Sequence, residues 1–285
     1  MVEGGISDIF IANQIVARDK IERLCALAKH ADVKVAIDDP RNLQELSEVA
    51  QIHGVTIGVV IEVDTSMHRA GVRQVSQGVN LAKLATALPG IAFKGVMSHQ
   101  TVPGMPNKET RLVEGRRYIQ MCLDVKEAIE AAGIPIEIVS TGESWTYDVA
   151  KDIPGVTEVE GGTYALMSHA YSYMREFQIA AKVMGTIIST PRPGVAIGNV
   201  GLRALAGPGG VLPEVEGLPG VTVEALHPAH IVLRTDGTTP LKVGDQFCLH
   251  SGQQDILVNR WDAYIAVRRG VVEAVWDIPA RGCHH

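Results

Sequence analysis

Two short stretches organise this sequence: EIVSTGES, residues 137–144, and TEVEGGTY, residues 157–164. Each begins with residues typical of a buried strand and continues into small residues and hydroxyls. Backbone N–H groups at such turns can converge on one anion, and serine or threonine hydroxyls add donors. The pair therefore predicts a phosphate site at neighbouring strand ends. The alternative is two ordinary strand-to-helix turns, in which glycine is common.

Strand and helix patterns alternate over the first two thirds of the chain. Strands are predicted at residues 9–12, 33–37, 56–63, 92–97, 136–139 and 157–159, with helices near 19–31, 43–52, 74–88 and 108–132. Repeated βα units with short connections predict a parallel sheet. An open doubly wound sheet is disfavoured because no glycine-rich loop follows the first strand.

A (β/α) barrel fits this alternation better, but about six strands are counted where a closed barrel has eight. Residues 1–5 resemble the end of a helix. We therefore expect a barrel that is incomplete at the N-terminus and lacks its first βα units.

The pattern changes near residue 177, where β-rich segments alternate with Gly/Pro turns. Residues 264–276 predict a hairpin, and residues 207–220 an exposed loop. We therefore expect two domains, a (β/α) barrel over residues 1–176 and a mainly antiparallel β domain over residues 177–285.

Composition excludes several classes of function. Hydrophobic residues make up 46% and charged residues 20% of the chain, which predicts a sizeable folded core. A net charge of −6 disfavours nucleic-acid binding. No apolar run is long enough to span a membrane. The four cysteines are scattered, which favours reduced thiols in the cytoplasm: Cys25, Cys122, Cys248 and Cys283.

Two charged or titratable residues follow predicted strands. Arg69 lies in the loop after the strand at 56–63, and His99 follows the strand at 92–97. Barrel active sites lie at these carboxyl ends, so a phosphorylated ligand is one interpretation. The alternatives are a solvated Arg69 paired with Asp64 and a structural, hydrogen-bonded His99.

Several motifs carry a resemblance to a known family. They are D-x-x-M-x-R-x-G at 64–71, MSH at 97–99, Ser140, and GGTY at 161–164, supported by 8–13, 33–41, 153–158 and 262–282. The sequence resembles the alanine-racemase-type fold of pyridoxal-phosphate (PLP) enzymes. It is more closely similar to the group of D-threonine aldolases and D-serine dehydratases. The resemblance implies an alanine-racemase-like barrel followed by the β domain.

The resemblance also implies roles for individual residues. Arg69 would bind the phenolic oxygen of PLP, and His99 would pack on the face of its pyridine ring. Glu160 falls at the position of the partner of the ring nitrogen, where the racemases have arginine. A carboxylate there favours the protonated ring, a stronger electron sink. The remaining cofactor contacts would surround the phosphate: Ser140, Thr141, Gly142, Gly162, Thr163 and Tyr164.

The function implied is a lyase of the aldolase or dehydratase type that acts on D-configured β-hydroxy amino acids such as D-threonine or D-serine. His99 and Glu160 are the predicted catalytic residues. The alternatives are an amino-acid racemase of the same fold and a truncated homologue that binds PLP without turnover. The group also implies a homodimer and a small-molecule amino-acid substrate.

Three departures from the group stand out. The lysine that binds the cofactor covalently lies on an early strand in the family, and we expect that segment to be absent here. The family's divalent-metal site (Mn, Mg or Zn) would retain Asp255 but has Gln253 in place of histidine. A lone aspartate with glutamine is a poor metal site, and an Asp-capped turn is the alternative. Finally, His99 stands where the aldolases more often carry tyrosine.

Overall fold

The computed structural model describes residues 1–100, 108–205 and 211–283. The chain divides into two compact units, Met1–Gly162 and Thr163–His285. The first alternates strands and helices, and the second consists mainly of antiparallel strands. This confirms the predicted α/β class with a parallel part followed by an antiparallel β part. The division at Gly162 falls earlier than the predicted domain boundary at residue 176.

Five parallel strands form the sheet of the first unit, and they are adjacent in chain order. They are β1 Asp8–Gln14, β2 Asp32–Ile37, β3 Ile57–Glu62, β4 Ile91–Ser98 and β5 Ile138–Thr141. The middle strand, β3, is buried at every position, as expected of a parallel strand covered on both faces. All five strands run in one direction, so their C-terminal ends share one edge, called here the carboxyl edge.

The helices of the first unit begin and end close to the predicted positions. They are α1 Arg18–Leu27, α2 Pro40–His53, α3 Val75–Ala87, α4 Lys108–Ala131 and the short α5 Tyr147–Ala150. In helix α2, residues near each end determine where the helix begins and ends. The Asp39 side chain accepts from the backbone N–H of Arg41 and Asn42, and Pro40 occupies the first turn. The helix ends at Gly54, whose φ of 64° needs glycine.

The end of the sheet differs from the prediction in two ways. Strand β5 runs through Ser140 and Thr141, which pair with Met97 and Ser98 of β4, so the turn begins only at Gly142. The prediction of a sixth strand at 157–159 is wrong, because only an isolated bridge joins Glu158 to Ser140. The Val139 carbonyl oxygen accepts from the amides of both residues 157 and 158, which interrupts a regular ladder.

The second unit contains a six-stranded sheet in the order β8-β11-β6-β7-β10-β9. Its strands are β6 Lys182–Arg192, β7 Val195–Gly198, β8 Glu214–Val215, β9 Val221–Leu226, β10 Ile231–Thr235 and β11 Gln246–His250. After helix α6, Gln254–Val258, strands β12 Ala263–Arg268 and β13 Val271–Asp277 confirm the predicted hairpin. The loop predicted at 207–220 contains β8, and its residues 207–210 lie outside the described residues.

None of the helices in the described parts of the chain combines the length and the apolar character that crossing a bilayer requires.

Candidate active site

Polar side chains gather at the carboxyl edge because three neighbouring strands end there in polar residues. Glu62 ends β3, Ser98 ends β4 and Thr141 ends β5. The register places Glu62 beside Met97, and Met97 beside Ser140. Glu62 and Ser140 are buried although both are polar. Buried polar side chains need hydrogen-bond or charge partners, so this edge is a candidate functional site.

The loop after β3 folds back on the sheet through Asp64. Its buried carboxylate accepts from the His68 backbone N–H at 2.9 Å and pairs with Arg73 Nε at 3.0 Å. Gly71 N donates to Asp38 Oδ2 at 2.8 Å. At Gly71 φ is 107°, and a Cβ there would lie 2.6 Å from the Asp64 nitrogen. Only glycine therefore fits this turn.

Arg69 lies on this loop with its guanidinium more than half exposed. Arg69 Nη2 is 3.7 Å from Glu62 Oε1, while Asp64 is engaged with Arg73 instead. The alternative interpretation of an Arg69–Asp64 pair is therefore wrong. Glu62 also accepts a hydrogen bond of 2.5 Å from Gln14 at the end of β1. Arg69 thus faces the carboxyl edge, and in this exposed position its guanidinium can donate to a ligand.

His99 follows β4 and contacts a residue that the sequence interpretation left unassigned. Its Nδ1 is 2.6 Å from Glu143 Oε1, and the Glu143 side chain is only 5% exposed. This close contact with the Glu143 carboxylate is the main cause that raises the pKa of the His99 imidazole above its usual range. Burial raises the pKa of the Glu143 carboxyl, and His99 partly offsets that rise. In the sequence, the signal that could have identified Glu143 was its place between small residues in the 137–144 stretch.

Glu160 lies beside this pair, in the stretch that follows α5. Its backbone N–H donates to the Gly142 carbonyl oxygen at 3.0 Å. Burial, followed by the negative charge of Glu143, raises the pKa of the Glu160 carboxyl to about 7. Within the described residues, neither Glu160 Oε1 nor the buried Ser140 hydroxyl forms a hydrogen bond of good geometry. Both atoms therefore have capacity for a ligand.

The other predicted phosphate contacts of the first unit differ in accessibility. Thr141 is fully buried, and its hydroxyl lies 2.7 Å from Ser98 Oγ, so it supports the wall of the site. Gly142 has φ of 91°, and a Cβ there would lie 2.6 Å from the Ala150 Cβ. Among the described residues, in contrast, no atom lies within 4 Å of the position where a Cβ on Gly162 would stand. The space beside Gly162 is therefore open to a ligand.

Thr163 and Tyr164 begin the second unit, in a short 3-10 turn over Thr163–Ala165. The Thr163 carbonyl oxygen accepts from the amides of Leu166 and Met167. The Tyr164 ring is half exposed, and its centroid is 6.0 Å from that of Phe177. Their contact with a phosphate stays a prediction.

The residues of the family's metal position form a different structure here. Asp255 is an exposed residue in the first turn of α6, and its Oδ2 accepts from Gln253 Nε2 at 3.4 Å. Across the described ranges, no group of three His, Cys, Asp or Glu side chains is arranged to hold a metal ion. A neutral amide that donates to the aspartate is a poor donor set for a divalent cation.

A cavity of about 710 Å³ opens beside the loop of Asp64, between the starts of α2 and α3. Its lining includes Asp38, Gly71, Arg73 and Asn80. The cluster of His99 and the two glutamates lies elsewhere on the carboxyl edge. His99, Glu143 and Glu160 are therefore candidate functional residues because of their burial and charge, and not because they line this cavity.

Family comparisons agree with this geometry. The family model for the N-terminal domain of alanine racemase matches residues 6–169, and a serine dehydratase domain model matches residues 180–267. The first match covers the five strands and every site residue of the first unit. The second covers the six-stranded sheet and reaches into the hairpin.

Individual relatives match along the whole chain. A 3-hydroxy-D-aspartate aldolase from Paracoccus denitrificans is 33% identical over 98% of this chain and 75% of its own. A D-threonine aldolase from Arthrobacter sp. is 30% identical over 99% of this chain and 76% of its own. The crystal structure of D-threonine aldolase from Filomicrobium marinum has a TM-score of 0.95 and 26% identity, over 100% of this chain and 80% of that chain. The chain therefore belongs to the alanine-racemase-type fold family, in the group of the D-threonine and 3-hydroxy-D-aspartate aldolases.

Proposed function

We propose that the protein is a PLP-dependent lyase that acts on D-configured β-hydroxy amino acids such as D-threonine or D-serine. The observation that carries the proposal is the similarity, over nearly the whole chain, to proteins named 3-hydroxy-D-aspartate aldolase and D-threonine aldolase. The fold places Glu62, Ser98 and Thr141, which end three neighbouring strands of the first unit, along one edge of the sheet. Sequence family and site chemistry thus support the same class of reaction.

The residues at the carboxyl edge fit PLP. The Ser140 hydroxyl is buried beside Glu160 and forms no hydrogen bond of good geometry among the described residues, so it can donate to a phosphate. The space beside Gly162 is open, and the Arg69 guanidinium is exposed. In the proposal Arg69 binds the phenolic oxygen, and Ser140 with Gly142 and Gly162 holds the phosphate. Thr141 supports this wall.

Bound PLP supplies the electron sink that accepts the electron pair released at the substrate's Cα. Glu160 faces the ring nitrogen in the proposal, and its pKa of about 7 lets it share a proton with that nitrogen near neutral pH. His99 would pack on the ring face, and its Nδ1 lies 2.6 Å from Glu143 Oε1, which would hold the imidazole in place. A carboxyl partner of the ring nitrogen favours lyase chemistry over racemisation, which benefits from a weaker sink.

A divalent metal is not part of the proposed mechanism. The Gln253 amide donates to Asp255, so the two side chains satisfy each other at the start of α6. Because this donor set does not fit a transition metal, no step is assigned to one. We further propose a cytoplasmic homodimer, on the family resemblance and on the four cysteines, which are all free thiols.

The proposal is tested with the purified chain and added PLP. D-threonine is expected to yield glycine and acetaldehyde if the protein is an aldolase. D-serine is expected to yield pyruvate and ammonia if it is a dehydratase. The L-enantiomers serve as matched controls, and chiral chromatography of alanine tests for racemisation. PLP binding without any turnover would contradict the lyase and favour the non-catalytic alternative. Borohydride reduction and peptide mapping then identify any lysine that binds the cofactor covalently.

A further inference from the structure

Glu143 is a buried carboxylate that the fold holds rigidly at the carboxyl edge. Its backbone N–H donates to Thr146 Oγ1 at 2.9 Å, and its carbonyl oxygen accepts from Thr146 N at 3.0 Å. The preceding Gly142 has no room for a Cβ against Ala150. The Gln100 backbone amide also donates to the Glu143 carboxylate. The position of Glu143 is therefore set by the protein and does not depend on a ligand.

Both predicted catalytic residues lie next to this carboxylate. His99 Nδ1 is 2.6 Å from Glu143 Oε1, and Glu160 is tied to the neighbouring Gly142 through its backbone N–H. The charged groups that act on His99 are Glu143, Arg69 and Glu160. The groups that act on Glu160 are Glu143, His99 and Glu158, and Ser140 is its polar neighbour. Glu143 is the carboxylate common to both sets.

We propose that Glu143 is a positioning residue that orients the His99 imidazole and sets the charge carried by both His99 and Glu160. The inference rests on the proposed function, because it assigns His99 and Glu160 to that reaction. A carboxylate beside Nδ1 stabilises the form of the imidazole in which Nδ1 carries a proton. The other nitrogen, Nε2, is then the one presented to a cofactor or a substrate.

The electrostatics of the cluster agree with this role. Contact with the Glu143 carboxylate raises the pKa of His99, so a larger fraction of the imidazole is protonated at neutral pH. Burial raises the pKa of Glu160 to about 7, and the charge of Glu143 adds to that rise. One carboxylate thus favours the protonated form of both neighbours. Removing its charge should lower the proton affinity of both.

The test is a titration of the full chain without cofactor. Nuclear magnetic resonance of the labelled imidazole and carboxyl carbons follows His99 and Glu160, and the variants His99→Asn and Glu160→Gln assign the two signals. The test variants are Glu143→Gln, which removes the charge, and Glu143→Asp, which retains it on a shorter side chain. Glu158→Gln is the matched control, because Glu158 is exposed and does not act on His99.

In Glu143→Gln the titration midpoint of His99 should fall by about one pH unit or more, a tenfold loss of proton affinity. The midpoint of Glu160 should fall as well. Glu143→Asp should restore part of both shifts, and Glu158→Gln should leave His99 unchanged. An unchanged His99 midpoint in a folded Glu143→Gln protein would overturn the proposal.

If Glu143→Gln does not fold, Glu143→Asp decides the question. A native circular dichroism spectrum with an unchanged His99 midpoint in that variant also overturns the role. Because the titration uses protein without cofactor, a failure of the chain to bind PLP would affect the proposed function and leave this test interpretable.

Discussion

The backbone N–H of Glu160 donates a 3.0 Å hydrogen bond to the carbonyl oxygen of Gly142. This bond joins the turn after β5 to the segment that follows α5. The same turn carries Glu143, so the buried Glu143 and the partly buried Glu160 are held at neighbouring positions of the carboxyl edge. Burial, followed by the negative charge of Glu143, raises the pKa of the Glu160 carboxyl to about 7.

Gly142→Ala should destabilise the first unit. Alanine at φ of 91° is strained, and its Cβ would meet the Ala150 Cβ at 2.6 Å. Strain and overpacking together should lower the free energy of unfolding by about 2–4 kcal/mol. Urea denaturation measures the loss. Gly162→Ala is the matched control, because no atom of the part of the chain that the structure describes lies within 4 Å of its Cβ position. Equal losses in both variants would contradict the assigned packing.

Glu160→Gln should change the pH dependence of stability. The pKa of Glu160 rises from an ordinary 4.5 to about 7 in the folded chain. Its stabilising contribution is therefore complete below pH 4.5 and is lost as the pH rises through 7. The neutral glutamine avoids this loss, so the variant should gain on the order of 2–3 kcal/mol relative to the wild type between pH 4.5 and 8.

Unfolding by urea at a series of pH values checks this change. The exposed Glu158 provides the comparison, since Glu158→Gln removes only a lesser charge that raises the pKa of Glu160 and should change the profile less than Glu160→Gln does. A constant difference between Glu160→Gln and the wild type across this range would show that Glu160 titrates normally.

Ser98→Ala should cost about 1–2 kcal/mol in the free energy of unfolding. The Ser98 hydroxyl lies 2.7 Å from Thr141 Oγ1, and both residues are fully buried. Removing one hydroxyl leaves the other without this partner. The double variant Ser98→Ala/Thr141→Val should cost less than the sum of the single changes, because both hydroxyls are then removed. Additive losses in a thermodynamic cycle would argue against the bond.

Asp64→Ala should destabilise the loop after β3 more than Arg73→Ala does. The buried Asp64 binds both the His68 amide and Arg73, whereas the Arg73 side chain is 61% exposed. We expect losses of about 2 kcal/mol and less than about 1 kcal/mol, respectively. Thermal unfolding monitored by circular dichroism compares the two variants. A larger loss for Arg73→Ala would contradict the anchoring role of Asp64.

Removal of divalent metals should leave the proposed lyase activity within about twofold of its starting value. The expectation follows from the residues at the start of α6, where the Gln253 amide donates a hydrogen bond to Asp255. Activity on D-threonine with and without a chelator is the measurement, and Asp255→Ala is the companion variant. A tenfold loss that added Mn²⁺ restores would show that a metal takes part.

Local sequence patterns predicted much of the fold correctly. The predicted helix over 43–52 corresponds to α2, because Asp39, Pro40 and Gly54 act within one or two turns of the helix ends. The strand predicted at 56–63 corresponds to β3, since a continuous apolar run needs burial on both faces. The end of β5 was missed because Ser140 and Thr141 are held in the ladder by Met97 and Ser98, about 40 residues away in the chain.

The sequence by itself determined the family and the alternation of strands and helices, which follow from motifs and from hydrophobic periodicity over a few residues. Through the family resemblance it also predicted roles for Arg69, His99, Ser140 and Glu160. Only the tertiary structure decided that Glu143 is the partner of His99 and that Asp64 binds Arg73 and leaves Arg69 to Glu62. Ion pairs and pKa values depend on distance and burial, which arise when parallel strands bring remote segments to one edge.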